Sequence, residues 1–316
     1  MTDGPRTFDH VAVIGPGAIG LCVAIRLAQR SGGPKVTLVD HEADRARRLG
    51  GRALWLRSDA GDLRARLPVV LAPSTPPDLV ILATKAHQAA AAARAAAAWI
   101  GRAALVTLQN GLGVAREVAA VLPDTRIVVG VTYQAANLVA EGEVHHAANV
   151  ATHFGYEGRA PDPAVEAVAR LFARAGLPAH VEPDMTPVVW RKAIVNAAIN
   201  PVAALAGVRN GEVAERPVLA GLVRRLAGEG QTVARVVGVR LPEDSAGEAA
   251  LDTARATAEN RCSMLQDLEA GQATEIDYLN GALVVLAEEH DVPVPANRAV
   301  TTLMRLLSPS AEGKGN

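Results

Sequence analysis

HVAVIGPGAIGLCVAIRLAQRSGGPKVTLVD, residues 10–40, is the stretch on which the architecture turns. The apolar run 11–14 reads as a buried parallel strand, and the apolar periodicity of 21–27 reads as a helix. Between them Gly15, Gly17 and Gly20 stand at G-x-G-x-x-G spacing. That spacing serves a tight turn, close backbone approach to a pyrophosphate, and close packing of helix on strand. The helix N-terminus adds free N–H groups and the positive end of its dipole. A second strand at 35–39 ends in Asp40, about 20 residues on, as a dinucleotide fingerprint requires. Gly15, Gly17, Ala18, Ile19, Gly20 and Asp40 are therefore candidate cofactor contacts.

Strands alternating with helices continue beyond this unit. DLVILATKA (78–86), ALVTLQNG (104–111) and IVVGVTY (127–133) read as strands with helical stretches between them, which implies a doubly wound, mostly parallel α/β sheet. Such sheets bind ligands at the carboxyl ends of their strands, where Lys85 and Asn110 stand. GEVHHAAN (142–149) and ATHFGYEG (151–158) read as extra strands finishing the same sheet. His145, His146 and His153 have no Cys or carboxylate cluster beside them in the sequence, so no metal site is expected.

Strand signals stop near Pro183, and the remainder is helix-periodic. The expected domains are a Rossmann domain at 1–183, an all-α domain at 184–308 and a disordered tail at 309–316, with a substrate cleft between the two domains. WRKAIVNAAINPVAA (190–204) carries Lys192, Asn196 and Asn200 four apart, which stacks them on one face of an otherwise apolar helix. Asn is a poor helix former and brings no charge, so the row suits a cleft better than open water. In ENRCSMLQDLEAGQATEIDYLNG (259–281), Asn260 and Ser263 fall three apart on a predicted helix. Glu275 precedes IDYLNG, where it could equally cap a helix start, and Asp267, Glu269 and Asp277 read as solvated or capping groups.

Composition narrows the classes. The 316 residues carry a net charge of −1, so no basic excess draws the chain to nucleic acid. The longest Ala-rich run, AAAAARAAAAW at 89–99, is interrupted by Arg94 and too weakly apolar to span a bilayer. The first residues show no signal-peptide pattern, and two cysteines, Cys22 and Cys262, form no disulfide framework. A soluble cytoplasmic protein is expected.

GPGAIG, TKA, QNG, WRKAIVNAAINPVAA and SMLQDLEAGQATEIDYLNG, in that order, resemble the ketopantoate reductase (2-dehydropantoate 2-reductase) family. The glycine motif is common to many oxidoreductases; the two C-terminal motifs are more specific. The resemblance implies a Rossmann domain and a helical domain like that of 6-phosphogluconate dehydrogenase. It also implies NADPH-dependent reduction of ketopantoate to D-pantoate, for pantothenate and coenzyme A. Carried across, it implies Lys192 as general acid and Glu275 as the second functional acid. It implies Asn110, Asn196, Asn200, Asn260 and Ser263 at the substrate, with Lys85 and Asn110 at the cofactor. It allows a monomer or a homodimer.

One feature departs from the family pattern. An Arg often follows the second strand and meets the 2′-phosphate of NADPH, whereas here the chain reads VDHEADRARR, with Asp40 and His41. An acid there bonds a ribose hydroxyl and repels a 2′-phosphate. Either Arg45, Arg47 or Arg48 serves NADPH, or the cofactor is NADH. Two alternatives to ketopantoate reduction stay open. One is an NAD-dependent D-2-hydroxyacid dehydrogenase acting on another branched or aromatic 2-oxo acid; the other is a nucleotide-binding regulator without turnover.

Overall fold

The computed structural model describes residues 7–30, 32–242 and 245–309, so residues 310–316 of the expected tail lie outside them. The chain divides into two compact units: 1–109 with 114–185, and 110–113 with 186–316.

The first unit begins β1 (His10–Ile14), α1 (Ala18–Ala28), β2 (Lys35–Val39), α2 (Ala43–Leu49), β3 (Leu54–Arg57), β4 (Leu63–Ala65) and β5 (Val69–Val70). It continues with β6 (Leu79–Leu82), α3 (Ala86–Ala96), β7 (Ala104–Thr107), α4 (Val114–Val121) and β8 (Ile127–Thr132). It closes with β9 (Ala135–Ala140), β10 (Glu143–Ala148), β11 (Thr152–Gly155), α5 (Pro163–Arg174) and β12 (Ala179–Val181). The main sheet runs β5-β2-β1-β6-β7-β8-β11-β12. Its first six strands are parallel neighbours in the 3-2-1-4-5-6 order of dinucleotide-binding sheets. β11 then runs antiparallel to β8. Every residue of β1, β6 and β7 is buried, which is why these strands read as unbroken apolar runs rather than alternating ones.

The stretch 142–149 departs from the expectation. β10 does not extend the main sheet; it pairs with β9 and β3 in a second sheet ordered β4-β3-β10-β9. That sheet packs on α1, whose apolar residues therefore serve two sheets, and Leu54, Leu56 and Val144 join the same core as Leu21 and Ile25. His146 faces Arg26 on α1, while His153 lies in the main sheet beside Glu182. Among the described residues, no group of three or more His, Cys, Asp or Glu could hold a metal ion. No helix of the described residues is long and apolar enough to cross a membrane. Cys22 and Cys262 are buried free thiols.

The second unit is helical: α6 (Thr186–Ala206), α7 (Asn210–Glu215), α8 (Pro217–Val236), α9 (Ala246–Ala256), α10 (Ser263–Glu269), a 3-10 turn (Ile276–Tyr278), α11 (Asn280–Glu289) and α12 (Pro295–Leu307). α6 is its centre, packed against α7, α8, α9, α10 and α12. A helix apolar nearly all round has to be buried in this way. The acids near α10 are held by ion pairs, Glu269 to Arg261 and Asp277 to Arg305.

Candidate active site

In the first unit, the fingerprint turn is built for close approach. A Cβ on Gly20 would fall 1.9 Å from the Gly15 carbonyl oxygen, so no larger residue fits where α1 leaves the turn. A Cβ on Gly17 would meet nothing within 4 Å, and no side chain caps α1, whose first-turn N–H groups belong to Ala18, Ile19 and Gly20. An open helix N-terminus over a glycine turn suits a diphosphate. At the neighbouring strand end, Lys85 is half-buried and opens α3. Gln109, to which the spacing assigned no role, donates through Nε2 to the carbonyls of Leu82 (2.9 Å) and Thr84 (3.2 Å). Its Oε1 and the Thr84 hydroxyl are buried without a hydrogen-bond partner among the described residues. Such groups need a partner, and a bound ligand is one way to supply it.

Asp40 is already bonded by its neighbours. Arg45 donates to it in bidentate fashion, Nε to Oδ2 and Nη2 to Oδ1, both at 2.6 Å, and the Glu42 amide adds a 3.1 Å bond to Oδ1. Asp40 has no exposed side-chain surface. Burial works to raise its carboxyl pKa, but the bonds from Arg45 and the Glu42 amide prevail and hold it below its ordinary value. Arg47 pairs with Asp44, and Arg48 with Glu141 and Glu42. Each arginine proposed for a 2′-phosphate already faces a carboxylate.

In the helical unit, Lys192 and Asn196 are half-buried on α6, and Asn200 is buried with 8% exposed. The row is therefore not a solvated stripe. Burial pulls the Lys192 pKa down to about 8, while the Glu275 carboxylate pulls it back up. Glu275, itself buried, stands at the N-cap of the 3-10 turn. Asn110 Nδ2 donates to Glu275 Oε2 at 3.2 Å. Asn110–Gly113 thus belongs with the helical unit although it follows β7 in the chain.

Asn260 and Ser263 do not share a helix. Ser263 is the first residue of α10, Asn260 lies in the turn before it, and both are exposed. That turn is tied to α6 through Cys262, whose Sγ donates to the Asn200 carbonyl at 3.5 Å. It is tied to α7 by the amides of Asn210 and Gly211, which donate to the carbonyls of Asn260 and Ala258 at 3.0 Å each. Asn210 is a second carboxamide to which the spacing assigned nothing. It is buried, its Nδ2 bonds Thr257 Oγ1 at 2.9 Å, and its Oδ1 has no hydrogen-bond partner among the described residues. Its signal was RNGE just past α6, a capping-like motif indistinguishable by spacing from an ordinary helix start.

Residues 11–158 match the family model described as ketopantoate reductase PanE/ApbA, and residues 184–308 match the model described as its C-terminal part. A 2-dehydropantoate 2-reductase of Halobacterium salinarum is 37% identical over 303 residues, covering 94% of this chain and 98% of that protein. The chain belongs to the ketopantoate reductase family. A crystal structure of a family ketopantoate reductase from Ralstonia eutropha JMP134 superposes with a TM-score of 0.86 at 28% identity, covering 94% of this chain and 98% of that one. A ternary structure of D-mandelate dehydrogenase with NADH and anilino(oxo)acetate superposes equally well, TM-score 0.86, at 24% identity, covering 94% and 97%. The ketopantoate reductase scaffold is thus shared with a dehydrogenase for a different acid, and the fold alone does not choose between them.

Proposed function

We propose that this protein reduces 2-dehydropantoate to D-pantoate with a nicotinamide nucleotide, as an enzyme of pantothenate and coenzyme A synthesis. The observation that carries the proposal is the Lys192–Glu275–Asn110 cluster in a chain of this family. The open α1 N-terminus and the unpartnered Thr84 and Gln109 oxygens fit a dinucleotide, and Gly15, Gly17 and Lys85 would hold it. When bound, its reduced nicotinamide supplies the hydride to C2 of the oxo acid.

The chain's own residues handle charge and protons. As the C2 carbonyl is reduced, negative charge builds on its oxygen. The Lys192 ammonium stabilises that charge and donates a proton from Nζ: the N–H bond breaks, the O–H bond forms, and Lys192 is left neutral until solvent reprotonates it. A pKa of about 8 keeps Lys192 charged at neutral pH yet lets the proton go more readily than an ordinary lysine would. Glu275 favours the charged form before transfer. Asn196, Asn200, Asn260 and Ser263 offer hydrogen bonds to the carboxylate and hydroxyl of the substrate without adding charge.

NADH serves at least as well as NADPH in this proposal, because Arg45, Arg47 and Arg48 are each matched to a carboxylate. The same observation favours one second reading, an NAD-dependent D-2-hydroxyacid dehydrogenase for another 2-oxo acid. The deciding experiment follows nucleotide absorbance with 2-dehydropantoate, and in parallel with aryl and branched 2-oxo acids, using NADH and NADPH. Turnover of 2-dehydropantoate with the highest kcat/KM supports the first proposal. A higher value on an aryl acid moves the assignment to the second.

A further inference from the structure

α6 contains a proline in its interior, and the group that repairs the break sits on another helix. In an α-helix the N–H of residue i bonds the carbonyl of residue i−4, so Pro201 leaves the Ala197 carbonyl without its donor. Ala197 is buried, where a bare carbonyl is costly. Asn280, the first residue of α11, supplies the missing donor: its Nδ2 bonds the Ala197 carbonyl at 2.8 Å.

Asn280 is itself held. Its Nδ2 also donates to Asn297 Oδ1 at 3.0 Å, and Asn297 Nδ2 donates to the Leu226 carbonyl at 3.1 Å and to Glu229 Oε2 at 2.8 Å. Glu229 further accepts the amides of Ala296 at 3.0 Å and Asn297 at 2.9 Å, at the start of α12, which has no side-chain cap of its own. Both asparagines are fully buried. Their orientation follows from chemistry, because carbonyl and carboxylate oxygens only accept. Asn280 Oδ1 has no hydrogen-bond partner among the described residues, so the side chain is placed for what it donates.

We infer that Asn280 is a positioning residue of the active site, bracing α6 at the Pro201 break through the chain Asn280–Asn297–Glu229. The inference rests on the catalytic assignment of α6 given above. Ala197 lies between Asn196 and Asn200 in the chain, so the braced carbonyl belongs to the turn of α6 that carries the polar row. Asn280 also follows the 3-10 turn that Glu275 opens, with only Leu279 between them. One side chain therefore fixes the α6 backbone against the segment carrying Glu275. Without it the half of α6 bearing Lys192 and Asn196 is released from that segment, and a displacement of about 1 Å is enough to slow a reaction roughly 100-fold.

The test is a cycle of Asn280→Ala and Pro201→Ala, read by kcat, by KM for nucleotide, by thermal melting, and by hydrogen exchange along α6. Asn280→Ala is expected to lower kcat about 10- to 100-fold with nucleotide KM within about twofold, and to speed exchange in α6. Pro201→Ala gives residue 201 an N–H for Ala197, so in that background Asn280→Ala should cost at least about fivefold less in kcat. If Asn280→Ala fails to fold, Glu229→Gln disturbs the same chain at its half-buried end and is read in the same way, with a several-fold fall in kcat expected. A lowered melting point with kcat per folded enzyme unchanged overturns the inference, as does an equal loss in both backgrounds. If the parent turns over no 2-oxo acid, the reaction assignment fails. In that case unchanged α6 exchange in Asn280→Ala still sinks the brace, and faster exchange relieved by Pro201→Ala still supports it.

Discussion

Asn110 and Glu275 stand 165 residues apart in the chain and meet through one 3.2 Å hydrogen bond, Nδ2 to Oε2. The residue that makes the meeting feasible is Gly111. Its φ of +103° is a conformation that a side chain resists, and a Cβ there would lie 2.4 Å from the Tyr278 carbonyl oxygen. Beside it the Leu112 amide bonds that same oxygen at 2.8 Å, locking the loop onto the 3-10 turn. Gly111→Ala should therefore destabilise the protein by about 1–3 kcal/mol and lower turnover, because Asn110 is lifted from Glu275. Denaturant unfolding and kcat are measured together. A variant as stable and as active as the parent would show that the loop tolerates the clash and that its register does not matter.

The Asp40–Arg45 pair gives a second prediction. Arg45 is the one arginine of its helix whose donors are committed to a fully buried carboxylate. Asp40→Asn removes the buried opposing charge and frees the Nε and Nη2 edge of Arg45 for a 2′-phosphate, leaving only the looser Glu42 pair at 3.6 Å. The ratio of kcat/KM for NADPH over NADH should rise about tenfold, the scale of one hydrogen bond to a charged group. Arg45→Ala in the same background should abolish the gain. If the ratio does not move in either variant, the pair lies away from the adenosine ribose.

These long-range pairs also mark where legibility ended. The nucleotide turn could be read from residues 10–40 because strand, glycines and helix are contiguous there and each constrains the next. The Lys192 row was visible because a helix repeats every few residues. The sheet to which β10 belongs is not legible, because alternation reports a strand but not its neighbour, and its partners β3 and β9 are chosen by packing on α1. Spacing puts Asn260 on a helix that in fact begins only at Ser263, since Cys262 takes the N-cap and accepts from the Leu265 amide at 3.4 Å. Asn280 and Asn297 were invisible for a plainer reason. Their partners are Ala197, Leu226 and Glu229, and no local pattern predicts a side chain on α11 that mends a proline break in α6.

In the proposed reaction Lys192 sets the pH dependence. Its folded pKa is lowered from 10.5 to about 8, chiefly by burial, so kcat should fall as pH rises through about 8 and the general acid loses its proton. The sign for stability is opposite. Between about 8 and 10.5 the unfolded chain holds the lysine proton that the folded chain has released, so this group makes the fold more stable as pH rises through that window. Glu275→Gln removes the charge that raises the Lys192 pKa, so the alkaline limb should move to lower pH. Lys192→Ala should lose about 10²–10⁴-fold in kcat while nucleotide still binds. A pH profile flat between 7 and 9, or near-normal turnover in Lys192→Ala, assigns the acid to another group; both limits bracket the value of about 8.

His146 predicts acid sensitivity away from the chemistry. It is buried with 4% exposed, accepts from Arg26 Nη2 through Nδ1 at 3.1 Å, and donates from Nε2 to Gln134 Oε1 at 2.5 Å. A guanidinium only donates, so Nδ1 must be unprotonated and the ring neutral. Burial first, and then the Arg26 charge, hold its pKa below 6.5. As pH falls below 6.5 the unfolded chain takes up this proton while the folded chain resists, so stability drops until the folded pKa is passed. The contact at stake joins α1 to β10, the helix of the nucleotide turn to the second sheet. Melting temperatures measured from pH 7 to pH 5 should therefore fall more steeply for the parent than for His146→Gln, whose amide has no proton to gain in this range. Parallel slopes for the two proteins would place the acid-labile contact elsewhere in the first unit.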